Sequence, residues 1–325
     1  MRALVLDGSP RVVDDWAAPQ RAPGEALVRV RVTGVCDTDL QLAKGYMGFR
    51  GVPGHELVGE VIEADDAAWV GKRVVADINA GCGACEDCRE ERGWVRGHHC
   101  ARRTVLGILG RAGSFAERLT IPERCLVEVP SALDDDRAVF AEPLAAALHV
   151  GDVWARGGRP SRAIVLGDGK LGQLVVRALA HLGVPTTLVG HHPRKLALAA
   201  APNVDAFLEG ELPASRRGAP LVVEATGSEA GLTAALELVA PRGVVALKTT
   251  VAAKLSIDLA PVVVHEISVV GSRCGDLAEA IRVLASGAID PRPLVEARYP
   301  LARADEAMAH ASRRGAMKVL VDVAR

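Results

Sequence analysis

Aromatic residues are scarce in this chain: four Phe, four Trp and two Tyr among 325 residues. The interior therefore has to be built from Val, Leu, Ile and Ala. Long apolar runs are missing too, since none approaches the ~20 residues needed to cross a bilayer. The N-terminus, MRALVLDGSP, enters a strand-like run at once and lacks a signal-peptide layout, which points to the cytoplasm. Charge of one sign is also lacking. With 39 basic against 40 acidic residues the net charge is −1, so neither nucleic acid nor an anionic membrane is expected as a partner. There is no internal repeat and no low-complexity segment. In a reducing compartment the seven cysteines are better suited to metal or to chemistry than to disulfides.

The length suits two domains of roughly 100–200 residues each. Up to about residue 145 the chain reads as mostly β. Ala3–Leu6, Ala26–Val32, Leu57–Ile62 and Arg73–Ala76 are short runs rich in Val and Leu, bounded by Gly, Pro or Asp. PRVVDDWAAPQRAPGE and DDAAWVGK read as loops, giving a barrel-like β domain with long functional loops. Beyond Glu142 the texture changes. Ala145–Trp154 is helix-compatible, and strands at Ala163–Leu166, Thr186–Val189, Leu221–Val223, Val244–Leu247 and Ile267–Val270 then alternate with helices at Gln173–Leu182, Arg194–Ala200 and Glu229–Leu238. That alternation predicts a parallel, doubly wound α/β sheet. A helix at Asp276–Ser286 precedes an α+β tail with Leu294–Tyr299, Ala304–Ser312 and Lys318–Val323. The simplest architecture inserts the nucleotide-type domain into the β-rich one.

Three stretches carry chemistry. Gly34–Gly59 brings Cys36, His55 and Glu56 into one glycine-rich region, and thiolate, imidazole and carboxylate are the ligand types that suit zinc. Cys82, Cys85 and Cys88 are spaced C-x2-C-x2-C, and Cys100 closes the group after eleven residues that include Arg92, Trp94 and Arg96. Four thiolates in one loop can form a closed structural zinc site, with His98 or His99 as alternative fourth ligands to Cys100. Cys125 and Cys274 stand alone and read as packing residues. Finally, Gly167-Asp168-Gly169-Lys170-Leu171-Gly172 is a GxGxxG between a buried strand and an amphipathic helix, the arrangement that cradles a dinucleotide pyrophosphate. An acid at the end of the second strand would hold the ribose of NAD. The expected place, about Gly190–His191, has none, while His191, His192, Arg194 and Lys195 could surround a 2′-phosphate; NADP is favoured over NAD.

In this order, the GHE run, the four-cysteine loop, the Glu-Pro-Leu at Glu142–Leu144 and the GxGxxG resemble those of the zinc-dependent medium-chain dehydrogenase/reductases, the superfamily of alcohol, sorbitol, glucose and threonine dehydrogenases. The resemblance implies a Rossmann domain, residues 149–287, inserted into a GroES-like catalytic domain, residues 1–148 with a return over 288–325. It implies Cys36 and His55 as catalytic zinc ligands, Glu142 as the third ligand or bound through water, and Glu56 as the carboxylate that approaches the metal during exchange. Thr38 would take the alcohol proton and Asp39 would orient the histidine. Gly167, Gly169 and Gly172, with Lys170 and Leu171 between them, would hold the cofactor, joined by Thr226 in the Glu224–Gly227 segment.

The implied reaction moves a hydride between a nicotinamide and an alcohol or polyol, or the matching aldehyde or ketone, in a homodimer or homotetramer that pairs near Ile267–Val270. Two rivals stand beside it. A zinc-free quinone or enone reductase would lack the ligands at Cys36 and His55, and a non-catalytic cofactor-binding protein would keep only structural zinc. The chain departs from the family in three places: Gln41 stands where a relay histidine is common, the Cys88–Cys100 interval is long, and Asp65 replaces a small residue. Tyr46, Met47, Phe49 and Ile78 are candidates for lining the substrate pocket.

Overall fold

The computed structural model describes residues 1–89, 95, 97–154, 158–199, 201–250 and 256–324. These divide into two compact units, one made of Met1–Glu142 with Asp276–Arg325, the other of Pro143–Gly275. The divisions fall ahead of the bounds at 148 and 287 that the sequence suggests. The helix Leu277–Ala285 accordingly belongs to the first unit, where Asp276 caps it by accepting from the Ala278 and Glu279 N–H groups.

In chain order the first unit opens with ten strands: β1 Ala3–Asp7, β2 Ser9–Val13, β3 Glu25–Gly34, β4 Glu56–Glu63, β5 Arg73–Ala76, β6 Asn79–Ala80, β7 Thr104–Leu106, β8 Gly110–Arg111, β9 Arg118–Pro122 and β10 Leu126–Glu128. The second unit contributes β11 Ala163–Leu166, β12 Thr186–Gly190, β13 Val204–Leu208, β14 Ala219–Glu224, β15 Val239–Leu247 and β16 Ser268–Gly271. The chain then returns to the first unit with β17 Val295–Pro300 and β18 Lys318–Asp322. Part of the stretch expected to be loop, PRVV, is instead in β2, which forms a hairpin with β1. A two-stranded ribbon tolerates Pro10 because the missing N–H costs little at an edge. In DDAAWVGK, Ala67–Trp69 is a short 3-10 turn.

The main sheet of the first unit runs β10-β5-β4-β3-β18-β17, with β9 also on β3. Its centre is β3, whose alternating residues Ala26, Val28, Val30 and Val32 are buried. One core cluster gathers β1, Val35, Val52, Phe115, the helix Ala304–Ala311 and β18. Phe115 and Phe140 are two of the largest fully buried side chains, and aliphatic residues supply most of the remainder.

The second unit holds a six-stranded, wholly parallel sheet in the order β13-β12-β11-β14-β15-β16. The order reverses direction between β11 and β14, the place where doubly wound sheets bind ligands. β11 is buried at all four positions, as a central parallel strand requires.

Candidate metal centres and dinucleotide site

The antiparallel register of β3 and β4 sets Gly34 opposite Glu56. Cys36, just past the end of β3, is thereby brought to His55 and Glu56 at the start of β4. Their ligand atoms all lie within 4.8 Å of one another. Asp39, fully buried, ties the two chain segments: its carboxylate accepts from the Cys36 N–H at 2.9 Å and the Gly54 N–H at 3.1 Å. The same carboxylate lies 3.4 Å from His55 Nδ1, a buried nitrogen with no well-formed hydrogen bond. Burial alone would lower the His55 pKa, but the negative charges of Asp39 and Cys36 outweigh it and raise the pKa well above the ordinary value. The Thr38 hydroxyl is 3.8 Å from the Cys36 sulfur.

Glu56 has a partner that the sequence reading misses. Lys318, on β18, is 2 % exposed, and its Nζ sits 2.5 Å from Glu56 Oε2 and 3.4 Å from the Val35 carbonyl. The ammonium also lies 5.7 Å from the centroid of the Phe140 ring. Leu320 pairs with Gly34, so β18 delivers this lysine next to the ends of β3 and β4. In sequence it is a single Lys before Val-Leu-Val, with no motif to mark it.

Glu142 lies outside the close cluster but feels it. Burial and the charges of Glu56 and Asp77 push its carboxyl up to about 7, against the pull of His55 and Lys318. The half-buried Cys36 sulfur, an imidazole and a carboxylate converge here, and Lys318 stands against their negative charge. This donor set fits a divalent cation of borderline softness such as zinc. Of the candidate pocket residues, Ile78 is a core residue, 5 % exposed, and Met47 points outward from a turn at Tyr46–Gly48.

The second cluster is made of sulfur alone. Cys82, Cys85, Cys88 and Cys100 bring their four sulfurs within 4.8 Å of one another. The Cys82 and Arg102 N–H groups point at Cys100 Sγ, at 3.4 and 3.3 Å, and the Arg102 guanidinium donates to Cys82 Sγ at 3.2 Å. Hydrogen bonds from the Ala84 and Cys85 N–H groups lower the Cys82 thiol to about 6. The four thiols fit one closed tetrahedral metal site. His98 is not part of it: its Nε2 is 2.6 Å from Asp77 Oδ2, and His99 is exposed. Arg92, Trp94 and Arg96 lie outside the described residues. Cys125 is buried, and burial pushes its thiol up to about 12.

In the second unit the glycine run links β11 to the helix Lys170–His181. Gly167 has φ +108°, and a Cβ on Gly172 would collide with the Gly167 carbonyl, so the helix can begin this close to the strand only with glycine there. Thr226 is fixed by the buried Glu224, whose Oε1 accepts from the Thr226 N–H at 2.8 Å, the Thr226 hydroxyl at 2.6 Å and the Thr249 hydroxyl at 2.9 Å. The basic residues after β12 are spread out: His191 Nδ1 is 3.1 Å from Glu209 Oε2, Lys195 is 9 % exposed, and Arg194 faces solvent. Asp168, which the sequence reading passes over, sits among them with its carboxylate on the His191 and His192 N–H groups.

Comparison with known proteins relates the chain to dehydrogenase families. Residues 22–131 match the alcohol dehydrogenase GroES-like domain family, and residues 171–286 the zinc-binding dehydrogenase family. Over 93% of its length the chain is 29% identical to an erythritol/L-threitol dehydrogenase of Mycolicibacterium smegmatis, covering 91% of that protein. It superposes on the alcohol dehydrogenase TADH of Thermus sp. ATN1 with TM-score 0.86 at 28% identity, covering 99% of this chain and 100% of that one. A zinc-binding dehydrogenase of Sinorhizobium meliloti 1021, solved with NADP bound, gives TM-score 0.84 at 28% identity with 99% of both chains covered. Among the described residues no helix is long and apolar enough to cross a membrane.

Proposed function

Because this chain belongs to the zinc-dependent medium-chain dehydrogenase/reductase superfamily and is a zinc-type alcohol or polyol oxidoreductase, we propose that the cluster at Cys36, His55 and Glu56 is its catalytic centre. The observation that carries this is the convergence of three different ligand types in a buried space, with Lys318 fixed against one of them. Zinc bound there supplies Lewis acidity to a substrate oxygen, and a bound nicotinamide supplies the hydride acceptor or donor.

The chain's own residues do the rest. Cys36 and His55 are the fixed ligands, with Glu142 the further protein ligand, directly or through water. Asp39 faces Nδ1 of His55, which leaves Nε2 for the metal and fixes the ring's orientation. Lys318 holds Glu56 and offsets its charge, so that Glu56 can approach or withdraw as water and substrate exchange. Thr38, beside Cys36, takes the proton from the substrate hydroxyl. Gln41 cannot titrate, so the relay on this chain's own residues would end at Thr38, which would hand the proton on to water. Cys82, Cys85, Cys88 and Cys100 hold a second, structural zinc. The first unit is the catalytic domain, and the second binds the dinucleotide through Gly167, Gly169, Lys170, Leu171, Gly172 and Thr226.

The substrate class is a small alcohol or polyol, supported by the likeness to an erythritol/L-threitol dehydrogenase. On the cofactor, the basic run His191–Lys195 supports NADP over NAD, whereas the carboxylates of Asp168 and Glu209 beside that run oppose it. We also assign a homodimer contact to the edge strand β16. Val269 on that strand and Leu259, Val263 and Val264 on the neighbouring segment are 39–76 % exposed, an apolar surface that a free sheet edge would bury in self-association.

Metal analysis joined to a cofactor-reduction screen over alcohols, polyols and sugars tests the reading. About two zincs per chain with turnover support it. One zinc without turnover would leave only a binding protein, and turnover without zinc would mark a zinc-free reductase. Sedimentation of the wild type and of Val263→Glu tests the dimer, which the variant should dissociate.

A further inference from the structure

Three of the four basic residues after β12 that could receive a 2′-phosphate are already engaged by carboxylates of the chain itself. His191 faces Glu209, and His192 Nδ1 lies 3.1 Å from Asp168 Oδ2. Lys195 Nζ lies 3.9 Å from Asp168 Oδ1. More telling are the two successive backbone N–H groups that follow the strand. Those of His191 and His192 both donate to Asp168 Oδ2, at 2.8 and 2.7 Å. Paired amides of this kind are the donors an added phosphate would require, and a carboxylate fills them.

The fit is built from both sides. A Cβ on Gly190 would come within 2.7 Å of the Asp168 Cβ, Cγ and Oδ2, so the carboxylate has room only because residue 190 is glycine. Burial would raise the Asp168 pKa, but the two amides, the His192 ring and Lys195 pull it below the ordinary carboxylate range, so the group is ionised at neutral pH. An acid at the end of the second strand is the usual ribose holder. Here the acid reaches the same end of β12 from the glycine turn after β11.

We propose that Asp168 selects the dinucleotide, its carboxylate taking the ribose 2′-hydroxyl of NAD and repelling the 2′-phosphate of NADP. A carboxylate has about four acceptor positions. The His191 and His192 N–H groups fill Oδ2, the His192 ring straddles both oxygens, and Lys195 stands 3.9 Å from Oδ1, too far for a hydrogen bond. Oδ1 keeps a position that can accept from a hydroxyl. An ionised phosphate has little hydrogen to donate and sets like charge against like charge, and of the run His191–Lys195 only the exposed Arg194 is not held to a carboxylate among the described residues. The preference expected from the basic run alone is therefore reversed.

This inference rests on the second unit binding a nicotinamide dinucleotide, and the test separates the two. Dissociation constants for NADH and NADPH are measured by nucleotide fluorescence on wild type, Asp168→Asn and Asp168→Gly, with near-ultraviolet circular dichroism to establish folding. Wild type should bind NADH roughly tenfold or more tightly than NADPH, and both variants should narrow that ratio by about tenfold, the scale of one like-charge contact near a surface. Wild type binding NADPH as tightly as NADH overturns the proposal, as does an unchanged ratio in a folded variant. Should neither variant fold, the wild-type ratio decides. Binding of neither nucleotide overturns the dinucleotide reading itself, and the selection with it.

Discussion

Cys36 meets an imidazole and a carboxylate beside a buried lysine, whereas Cys82, Cys85, Cys88 and Cys100 meet one another and the exposed Arg102. The difference follows from where each set is held. The first is pinned by strand register, since β3, β4 and β18 of one sheet converge on it. Among its described residues, the stretch that holds the second has a four-residue helix at Glu86–Arg89 and otherwise turns and bends. A site held by a sheet keeps its shape without metal, so its ligands can be few, mixed and open to substrate. A site in a loop must draw its order from the metal, so it uses four equivalent thiolates and closes. Position in the fold thus separates a centre suited to chemistry from one suited to bracing.

Substitutions should break this pairing in opposite ways. Cys36→Ala should cost on the order of a thousandfold in turnover and one zinc per chain while leaving the unfolding curve in place, because the sheet supplies the order. Steady-state kinetics with metal analysis reads all three, and undiminished activity would end the catalytic reading. Next comes Lys318→Met, which strands an ionised Glu56 in the interior. Denaturant unfolding should record a loss of about 3–5 kcal/mol, as for removal of one member of a buried ion pair.

Cys100→Ser should do the reverse of Cys36→Ala. Zinc falls by one per chain and the melting temperature by roughly several degrees, while turnover per folded molecule at low temperature is little changed. If turnover instead disappears in the folded variant, the two centres are not separate in function. The smallest effect is expected for Arg102→Ala, which removes one donor to Cys82 from an exposed position. Zinc release to a chelator should quicken about severalfold from the loop, and not from the Cys36 site.

Much of this was legible in the sequence because the informative residues are close together. Four cysteines within nineteen positions, Cys82 to Cys100, announce a common site by spacing. His55 and Glu56 are adjacent, and the parallel sheet showed itself in the alternation of β and α runs after Ser161. Three features escaped, for related reasons. Lys318 is 262 residues from Glu56, and a single Lys at the head of an apolar strand reads as a solvent-facing end until β3 is known to be its neighbour. Asp168 occupies a variable position of a motif whose glycines draw the attention, and its partners come from the segment after the next strand. β2 contains Pro10 and runs into two aspartates, so only its pairing with β1 makes it a strand. What local pattern cannot carry is the identity of the partner across a sheet.

The placement of β18 has a consequence for how the protein is made. Glu56 leaves the ribosome early, but the cation that neutralises it belongs to residue 318, on a strand that takes its place between β3 and β17. Until a ribosome has released that strand, the nascent first sheet has a gap along β3 and an unmatched acid beside its cysteine. Contacts this distant in sequence are slow to form and leave the incomplete sheet exposed to wrong partners. A chain interrupted before residue 318 would therefore carry every proposed zinc ligand and still lack the cation that holds Glu56.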